Sequence, residues 1–218
     1  MKVVILDLGT GNLHSVRRAV EHVSERAEVA VSDRAGELDA AERMIFPGQG
    51  AIGTWMHALR ERGLEDAVRR ALRDKPVLGI CLGLQALFEG SEEDGGTDGL
   101  SVLRGRVRHF NNCAGGRLAD PATGAALKIP HMGWNTVRQS RPHPLWRDIP
   151  DHSRFYFVHS YCAQADDARE ALGETEYGVR FCSAAGRGNV FAVQFHPEKS
   201  QRAGLQLLRN FIGWSGTA

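Results

Sequence analysis

The chain has 218 residues, of which 42% are hydrophobic and 24% charged, and its formal net charge is +1. This near-neutral balance argues against a nucleic-acid binder dominated by phosphate contacts, and the longest apolar runs fall short of the roughly 18–20 residues of a membrane span. The N-terminal apolar run is too short for a signal peptide, which predicts a cytoplasmic protein.

Apolar runs alternate with amphipathic segments over roughly the first 90 residues. Uninterrupted runs of Val, Ile and Leu are typical of strands buried on both faces, and apolar residues at helical spacing predict helices packed on one side. The predicted strands are Val3–Leu6, Val29–Val31, Arg43–Phe46 and Val77–Ile80, and the predicted helices are Leu13–Val23, Thr54–Leu59, Leu64–Leu72 and Leu82–Phe88. This order predicts an α/β fold with a largely parallel sheet.

The second half of the chain has a different pattern. Leu100–Phe110 predicts a hairpin-like pair of strands around Gly105, and the Gly- and Asn-rich stretch Asn111–Ala126 predicts a loop. Further strands are predicted at Phe155–Val158, Gly178–Ser183 and Val190–Phe195, followed by a closing helix at Leu205–Ile212. No shift of composition marks a boundary, so residues 1–218 are predicted to form one domain with residues 111–126 as a loop insertion.

Cys81 lies where the fourth predicted strand meets a predicted helix, in the sequence Gly79-Ile-Cys-Leu-Gly83. Gly-x-Cys-x-Gly has the spacing of a nucleophile elbow, in which the nucleophile occupies a sharp turn and the flanking glycines avoid a steric clash. The helix N-terminus favours a thiolate, and the backbone N–H of Leu82 is placed to stabilise an oxyanion. We therefore predict that Cys81 is a nucleophile.

A cysteine nucleophile needs a base and a group that orients the base. His196 and Glu198 lie two residues apart in the late segment Gln194–Ser200. In an extended segment such residues face the same side, so Glu198 would hold the imidazole and His196 would activate the cysteine. Only the fold can bring this pair to Cys81.

A glycine loop after the third predicted strand is a candidate for the second oxyanion donor. Gly48 and Gly50, on either side of Gln49, permit backbone conformations with positive φ that aim N–H groups at a carbonyl oxygen. The loop lacks the Gly-Lys-Ser/Thr of a phosphate loop. The glycines beside Gln49 also make a flip of that peptide sterically feasible.

The four cysteines show no CxxC pair, and no two histidines with an acid have the spacing of a zinc hydrolase. We therefore predict neither a metal nor an organic cofactor.

Together these motifs resemble the class I (triad) glutamine amidotransferases over the whole chain and in the right order. Within that family, further segments are similar to the glutaminase subunit of imidazole glycerol phosphate synthase, and the most specific of them is Pro130-His-Met-Gly-Trp-Asn135. The other segments are Asp7–Leu13, Tyr156–Tyr161 and Gln194–Ser200. The resemblance implies a flavodoxin-like, mostly parallel central sheet flanked by helices, with additional antiparallel strands in the second half.

The resemblance also implies an activity and a partner. Glutamine would be hydrolysed to glutamate and ammonia through a Cys81 thioester, and the ammonia would pass to a (β/α)8 cyclase subunit in histidine biosynthesis. That subunit makes imidazole glycerol phosphate and an aminoimidazole carboxamide ribotide. By matching positions, the substrate pocket would be lined by Gly48, Gln49, Gly50, Leu82, Gln85 and the backbone of Ser160 and Tyr161. The cyclase interface would include Asn12, Trp134, Tyr156 and Lys199.

The sequence departs from the family at three places. Gln49 stands where a valine is common, Leu8 stands where a tyrosine is usual, and Asn111–Ala126 is long and carries Cys113. Three alternatives stay open on the residues alone: a glutaminase serving pyridoxal phosphate, anthranilate or GMP synthesis, a γ-glutamyl hydrolase-like cysteine hydrolase or peptidase, and a scaffold without activity.

Overall fold

The fold is taken from a computed structural model, which describes residues 1–217. Its strands are β1 (Lys2–Leu6), β2 (Glu28–Ser32), β3 (Arg43–Phe46), β4 (Val77–Ile80), β5 (Gly90–Ser91), β6 (Thr97–Asp98), β7 (Gly105–His109), β8 (His131–Gln139), β9 (Ser153–His159), β10 (Tyr161–Ala165), β11 (Ala171–Tyr177), β12 (Val179–Arg187) and β13 (Val190–Val193). Its helices are α1 (Leu13–Val23), α2 (Ala35–Asp39), α3 (Ile52–Glu61), α4 (Glu65–Asp74), α5 (Leu82–Gln85), α6 (Phe110–Cys113) and α7 (Gln201–Gly213).

Five parallel strands in the order β2-β1-β3-β4-β13 form the first part of the sheet. Both of its faces are buried, and successive residues of β1 enter different cores. Val3 and Ile5 belong to the core that includes residues of α1 and α7, whereas Val4 and Leu6 belong to the core that includes residues of α3 and α4. The uninterrupted apolar sequence of this strand therefore follows from its position between two helical layers.

The second part of the sheet continues through β12, β10, β7, β5 and β6, in which most pairings are antiparallel. Strand β11 pairs with β12 and with β8, and β8 pairs with β9. The structure confirms the predicted architecture, a mostly parallel sheet between helices with antiparallel strands added in the second half. In the parallel part, the carboxyl ends of β4 and β13 lie side by side, since Ile80 is in register with Val193.

The predicted hairpin at Leu100–Phe110 is wrong. Only Gly105–His109 is a strand, and it pairs with β10 and β5 rather than with the preceding residues. Leu100 and Leu103 are buried in an apolar core, and their N–H groups donate to the carbonyls of Ala86 and Leu87 just beyond α5. Helix α5 ends at Gln85 and does not continue to Phe88 as predicted, because the N–H groups of Leu87 and Phe88 donate to the carbonyls three residues back, in turns tighter than an α-helix.

The segment predicted as a loop insertion begins with the short helix α6, and Ala119 and Ala126 form an isolated antiparallel bridge. That residues 1–218 form one domain with an insertion at 111–126 stays a prediction, and Ala218 lies outside the described residues. In the part of the chain that is described, no helix combines the length and the apolar character needed to cross a bilayer.

Candidate active site

Cys81 occupies the sharp turn between β4 and α5. Its backbone has φ 55° and ψ −104°, a left-handed conformation that non-glycine residues rarely adopt, and its N–H donates to the carbonyl of Val193 at 2.8 Å. A Cβ on Gly83 would lie 1.8 Å from the carbonyl oxygen of Phe46, and one on Gly79 would lie 2.9 Å from the backbone of Gly83. The strained strand-to-helix turn predicted from Gly-x-Cys-x-Gly is therefore present, with both glycines needed for space.

His196 follows β13 and reaches the same edge of the sheet. Its N–H donates to the carbonyl of Tyr156 at 2.9 Å, and its Nδ1 lies 2.8 Å from Oε1 of Glu198. The two side chains are only 2% and 1% exposed. The predicted pair is present, although the extended segment assumed for it ends at His196, because Pro197–Lys199 is a 3₁₀ turn that brings Glu198 back under the ring.

The His196 ring carries a positive charge at neutral pH. Burial on its own lowers the pKa of His196, but the Cys81 sulfur and the Glu198 carboxylate outweigh burial and raise that pKa to about 10. Within residues 1–217, Nε2 of His196 and Oε2 of Glu198 are buried without a hydrogen-bond partner. Since Nδ1 is held by Glu198, Nε2 is the ring nitrogen that is available to a group in front of the Cys81 sulfur.

A cavity of about 360 Å³ opens in front of the Cys81 sulfur. Its walls comprise Gln49, Gly50, Cys81, Leu82, Gln85, Glu93, Val158, His159, Tyr161, His196 and Lys199. The structure thus brings most of the predicted substrate residues to one place. Gly48 and Ser160 are not on the cavity wall, and Glu198 lies behind His196. Lys199, predicted at a partner interface, also borders the cavity.

Two glutamine side chains connect the cavity wall to the nucleophile. Gln85 Nε2 donates to Oε1 of Gln194 at 3.0 Å and to the carbonyl of Tyr161 at 3.3 Å. Gln194 Nε2 in turn donates to the Cys81 sulfur at 3.5 Å. Gln194 was not predicted as a site residue, although it lies in the quoted segment that contains His196, two residues before the base.

The two loop glycines have different structural roles. Gly48 is buried, and a Cβ there would lie 2.7 Å from Leu82 and 2.9 Å from Trp55, so close packing excludes any side chain. Its φ is not positive, so Gly48 does not use the conformational freedom that glycine permits. Gly50 has φ 97° with no atom near the position of a Cβ, so it is the loop position at which backbone freedom matters.

Glu93 is the carboxylate on the cavity wall that the sequence analysis missed. Its Oε2 accepts a hydrogen bond from the N–H of Ile52 at 2.9 Å, and burial raises the pKa of the Glu93 carboxyl. The available signal was the acidic run Glu92-Glu93-Asp94 after a predicted helix, but only the fold shows which of the three borders the cavity.

A second histidine on the cavity wall, His159, continues into a chain of hydrogen bonds. Burial lowers the pKa of His159 to about 3 and that of His131 to about 4, so both rings are neutral. His159 Nδ1 donates to the carbonyl of Tyr161 at 2.7 Å, which leaves Nε2 to accept from Nδ1 of His131 at 2.9 Å. His131 Nε2 accepts from Asn135 at 3.2 Å. Because the Tyr161 carbonyl can only accept a hydrogen bond, it fixes the tautomers of both His159 and His131.

Three of the four predicted interface residues lie together. Trp134 and Tyr156 face each other across β8 and β9 with ring centroids 6.2 Å apart, and the Lys199 ammonium lies 6.0 Å from the Tyr156 ring. Met132, two residues before Trp134, is 61% exposed. Asn12 lies in a different element, where its side chain caps α1 by accepting from the N–H of Ser15.

Within residues 1–217, no three His, Cys, Asp or Glu side chains are grouped as metal ligands. The reactive groups at the cavity are the Cys81 thiol and the His196 imidazole, which is held by the Glu198 carboxylate. Backbone N–H groups at the start of α5 lie beside them.

Comparison with known proteins shows what this arrangement is similar to. The family model for class-I glutamine amidotransferases matches residues 4–214. Two curated relatives carry the name imidazole glycerol phosphate synthase subunit HisH. The protein from Aromatoleum aromaticum is 51% identical over 213 residues, which cover 98% of each chain. Subunit HisH 1 from Pseudomonas aeruginosa is 50% identical over 214 residues, which cover 98% of this chain and 97% of its own.

Solved structures agree at the level of the fold. The crystal structure of a glutamine amidotransferase superposes with a TM-score of 0.70 at 20% identity, and PurLQS from Thermotoga maritima superposes with a TM-score of 0.71 at 16% identity. Each comparison covers 97% of both chains.

Proposed function

Because the chain belongs to the class-I glutamine amidotransferase family and, within it, to the HisH subunits of imidazole glycerol phosphate synthase, we propose that it is a glutaminase whose catalytic residues are Cys81, His196 and Glu198. The observation that carries this assignment is one cavity bordered by a cysteine on a strained turn and by a histidine whose other nitrogen is held by a buried carboxylate. These are the parts of a nucleophile, base and orienting-group triad.

The reaction follows from the geometry in two halves. The Cys81 thiolate attacks the side-chain carbonyl of glutamine, and His196 gives its Nε2 proton to the departing ammonia, which leaves a thioester. The neutral imidazole then takes a proton from water, which attacks the thioester and releases glutamate. Glu198 keeps Nδ1 engaged in both halves, so that Nε2 is the nitrogen that faces the substrate.

The negative charge that develops on the carbonyl oxygen needs a donor. Leu82 is the first residue of α5, so its N–H has no acceptor within the helix and is free for an oxyanion. The backbone at Gln49 and Gly50 borders the same cavity and supplies the second donor after a change of conformation at Gly50. One such donor is typically worth a factor of about 10²–10³ in rate.

Glutamine is held at both of its ends. The Glu93 carboxylate suits the substrate's α-ammonium group, and Gln85, Tyr161 and the adjoining backbone line the remainder of the pocket. The carbonyls of Ser160 and Tyr161 already accept hydrogen bonds from Phe110 and from Gln85 and His159. We therefore propose that other polar groups of Tyr161 and its neighbours, and not these two carbonyls, bind the substrate.

The ammonia is passed to a (β/α)8 cyclase subunit, with which the chain forms a heterodimer. The partner-facing surface that we propose comprises Trp134, Tyr156, Lys199 and Asn12. An exposed methionine and a half-exposed tryptophan on β8 support this assignment, since exposed large apolar side chains beside a site are typical of interfaces.

The test is glutamate release by the purified chain alone and with a cyclase subunit loaded with its ribonucleotide substrate. We expect little activity alone and a rise of at least about 100-fold in the loaded complex, because one oxyanion donor is worth that factor. Cys81→Ala abolishes turnover in the complex, whereas the control Cys113→Ala, which lies outside the cavity, retains it. Equal activity with and without the loaded partner, or full activity of Cys81→Ala, would overturn the proposal.

A further inference from the structure

Two cysteines outside the active-site cavity lie in contact. Cys113 is the last residue of α6, and Cys162 is the second residue of β10; their sulfur atoms are 2.7 Å apart and both are free thiols. Cys162 has no exposed surface, whereas Cys113 is partly exposed. Neither residue has a part in the glutaminase chemistry, so the contact calls for a separate explanation.

The surroundings give the two thiols different roles. The hydrogen bond from the Cys162 thiol and the nearby Arg108 guanidinium together lower the pKa of Cys113, while the same hydrogen bond and burial raise the pKa of Cys162. Cys113 is therefore the thiol that loses its proton more readily and meets a reagent from solvent, and Cys162 is the buried thiol behind it. This is the arrangement of an attacking and a resolving cysteine.

We propose that Cys113 and Cys162 form a reversible intramolecular disulfide by exchange with a low-molecular-weight disulfide. The Cys113 thiolate attacks one sulfur of the reagent, forms a mixed disulfide and expels the first small thiolate. Cys162 then loses its proton to solvent and attacks the Cys113 sulfur, which expels the second small thiolate. Two protein thiols are oxidised by two electrons to one disulfide, and the reagent is reduced to two thiols.

The disulfide would stabilise the fold without closing the active site. The sulfur atoms are already in contact, 2.7 Å apart, so the two side chains are within reach of a bridge. The bridge closes the loop from 113 to 162, about 50 residues, and ties α6 to β10. Cys162 is in register with Arg108 of β7, and neither Cys113 nor Cys162 borders the active-site cavity. We therefore expect a more stable chain with an unchanged kcat.

The experiment exposes the purified full-length chain to excess oxidised glutathione under native conditions and measures intact mass, linked peptides and Tm. We expect the loss of two hydrogens, a non-reduced peptide pair that joins Cys113 to Cys162, and a rise in Tm of about 5–10 °C for a loop of this length. Dithiothreitol reverses all three changes. Glutaminase kcat in the loaded complex stays within about twofold.

Variants separate the bridge from other oxidation. Cys113→Ser has normal reduced-state activity and shows neither the linkage nor the rise in Tm, whereas Cys81→Ala, which retains both thiols, shows both. A glutathionyl group that remains on Cys113, oxidation confined to Cys81, or a linked chain with no gain in Tm would each overturn the proposal. Because the readouts are mass and stability, the result stands apart from that of the glutaminase test.

Discussion

At the scale of single residues, the most consequential contact is the buried pair of His196 and Glu198. A histidine moved from water into the interior normally loses its charge, yet here the pKa is raised to about 10 because the carboxylate and the Cys81 sulfur outweigh burial. The proton that the mechanism gives to ammonia is therefore present at physiological pH. Removing the carboxylate tests both the stability of the pair and its catalytic role.

Glu198→Gln destabilises the free chain in a pH-dependent manner. In the native chain the pKa of His196 is raised above 6.5, so the stabilisation from its charged form is fully present below pH 6.5 and is lost as the pH rises through about 10. We expect the free energy of unfolding to fall by about 3 kcal/mol at pH 6.5, as for breaking a buried ion pair, and by much less at pH 10. Urea unfolding at the two pH values measures the difference.

The matched control is Glu21→Gln, which removes an exposed ion pair with Arg17 and costs under about 1 kcal/mol at both pH values. In the loaded complex, Glu198→Gln also lowers kcat at least about 100-fold, because the imidazole loses its orienting group. A loss of stability that did not shrink between pH 6.5 and pH 10 would contradict the charge assignment for His196.

At the scale of elements, the series of hydrogen bonds through His131 and His159 joins β8 and β9 to the start of β10. Asn135 and His131 lie on β8, His159 ends β9, and the carbonyl of Tyr161 begins β10. The same carbonyl also accepts from Gln85 on the cavity wall. This series of hydrogen bonds therefore runs from the strand that carries Trp134 to the proposed substrate pocket, and it orients groups proposed to bind glutamine rather than the proposed catalytic residues.

His131→Phe leaves Nε2 of His159 without its donor and loosens Tyr161 and Gln85. We expect KM for glutamine in the loaded complex to rise about tenfold while kcat falls no more than about threefold, since only binding groups move. The control is His143→Phe, a buried histidine that packs on Phe191 and Trp214 away from the cavity. Steady-state kinetics of both variants test this prediction. If the KM of His131→Phe equalled that of His143→Phe, His131 would have only a structural role.

The strands and helices show how much of the fold the sequence could predict. Strands β3 and β4 and helix α1 have the predicted bounds, because apolar runs buried on both faces and an amphipathic helix leave clear patterns. Strands β8, β10 and β11 were missed, since each lacks a clear alternation of apolar and polar residues and is stabilised by pairing with strands distant in the chain. Helix α2, which has five residues, is too short for a periodic signal.

The residues of the candidate site likewise fall into those that the sequence predicts and those that it does not. Cys81 with its two glycines was predictable because a local steric rule links all three positions. Glu93 and His159 on the cavity wall, and Gln194 beside the Cys81 sulfur, were not predicted, because their positions depend on the packing of β9, β13 and the turn at residues 93–95. Motif spacing specifies a turn, whereas a pocket wall needs the tertiary structure.

At the scale of the whole molecule, the cavity and the proposed partner-facing surface adjoin each other, with Lys199 bordering one and contacting Tyr156 in the other. The Asn12 turn is also close to the glycine loop, since a Cβ on Gly11 would lie 3.5 Å from the Cα of Gly48. A partner seated on this surface would therefore be in contact with the loop that we propose as the second oxyanion donor. Communication between the subunits then needs only a local change at that loop.

Gly50→Ala tests that coupling. Gly50 has φ 97° and no atom near the position of a Cβ, so alanine fits sterically but strains the backbone and restricts the peptide flip. We expect the basal glutaminase activity of the free chain to change little and its stimulation by the loaded cyclase to be abolished. The control is Gly63→Ala, where φ is 65°, the Cβ position is equally open and the turn lies between α3 and α4. Both variants should lose similar stability, about 1–2 kcal/mol, but only Gly50→Ala should lose stimulation. Undiminished stimulation of Gly50→Ala would mean that the second donor does not depend on the freedom of this peptide, and the partner would then have to act through groups that are already in place.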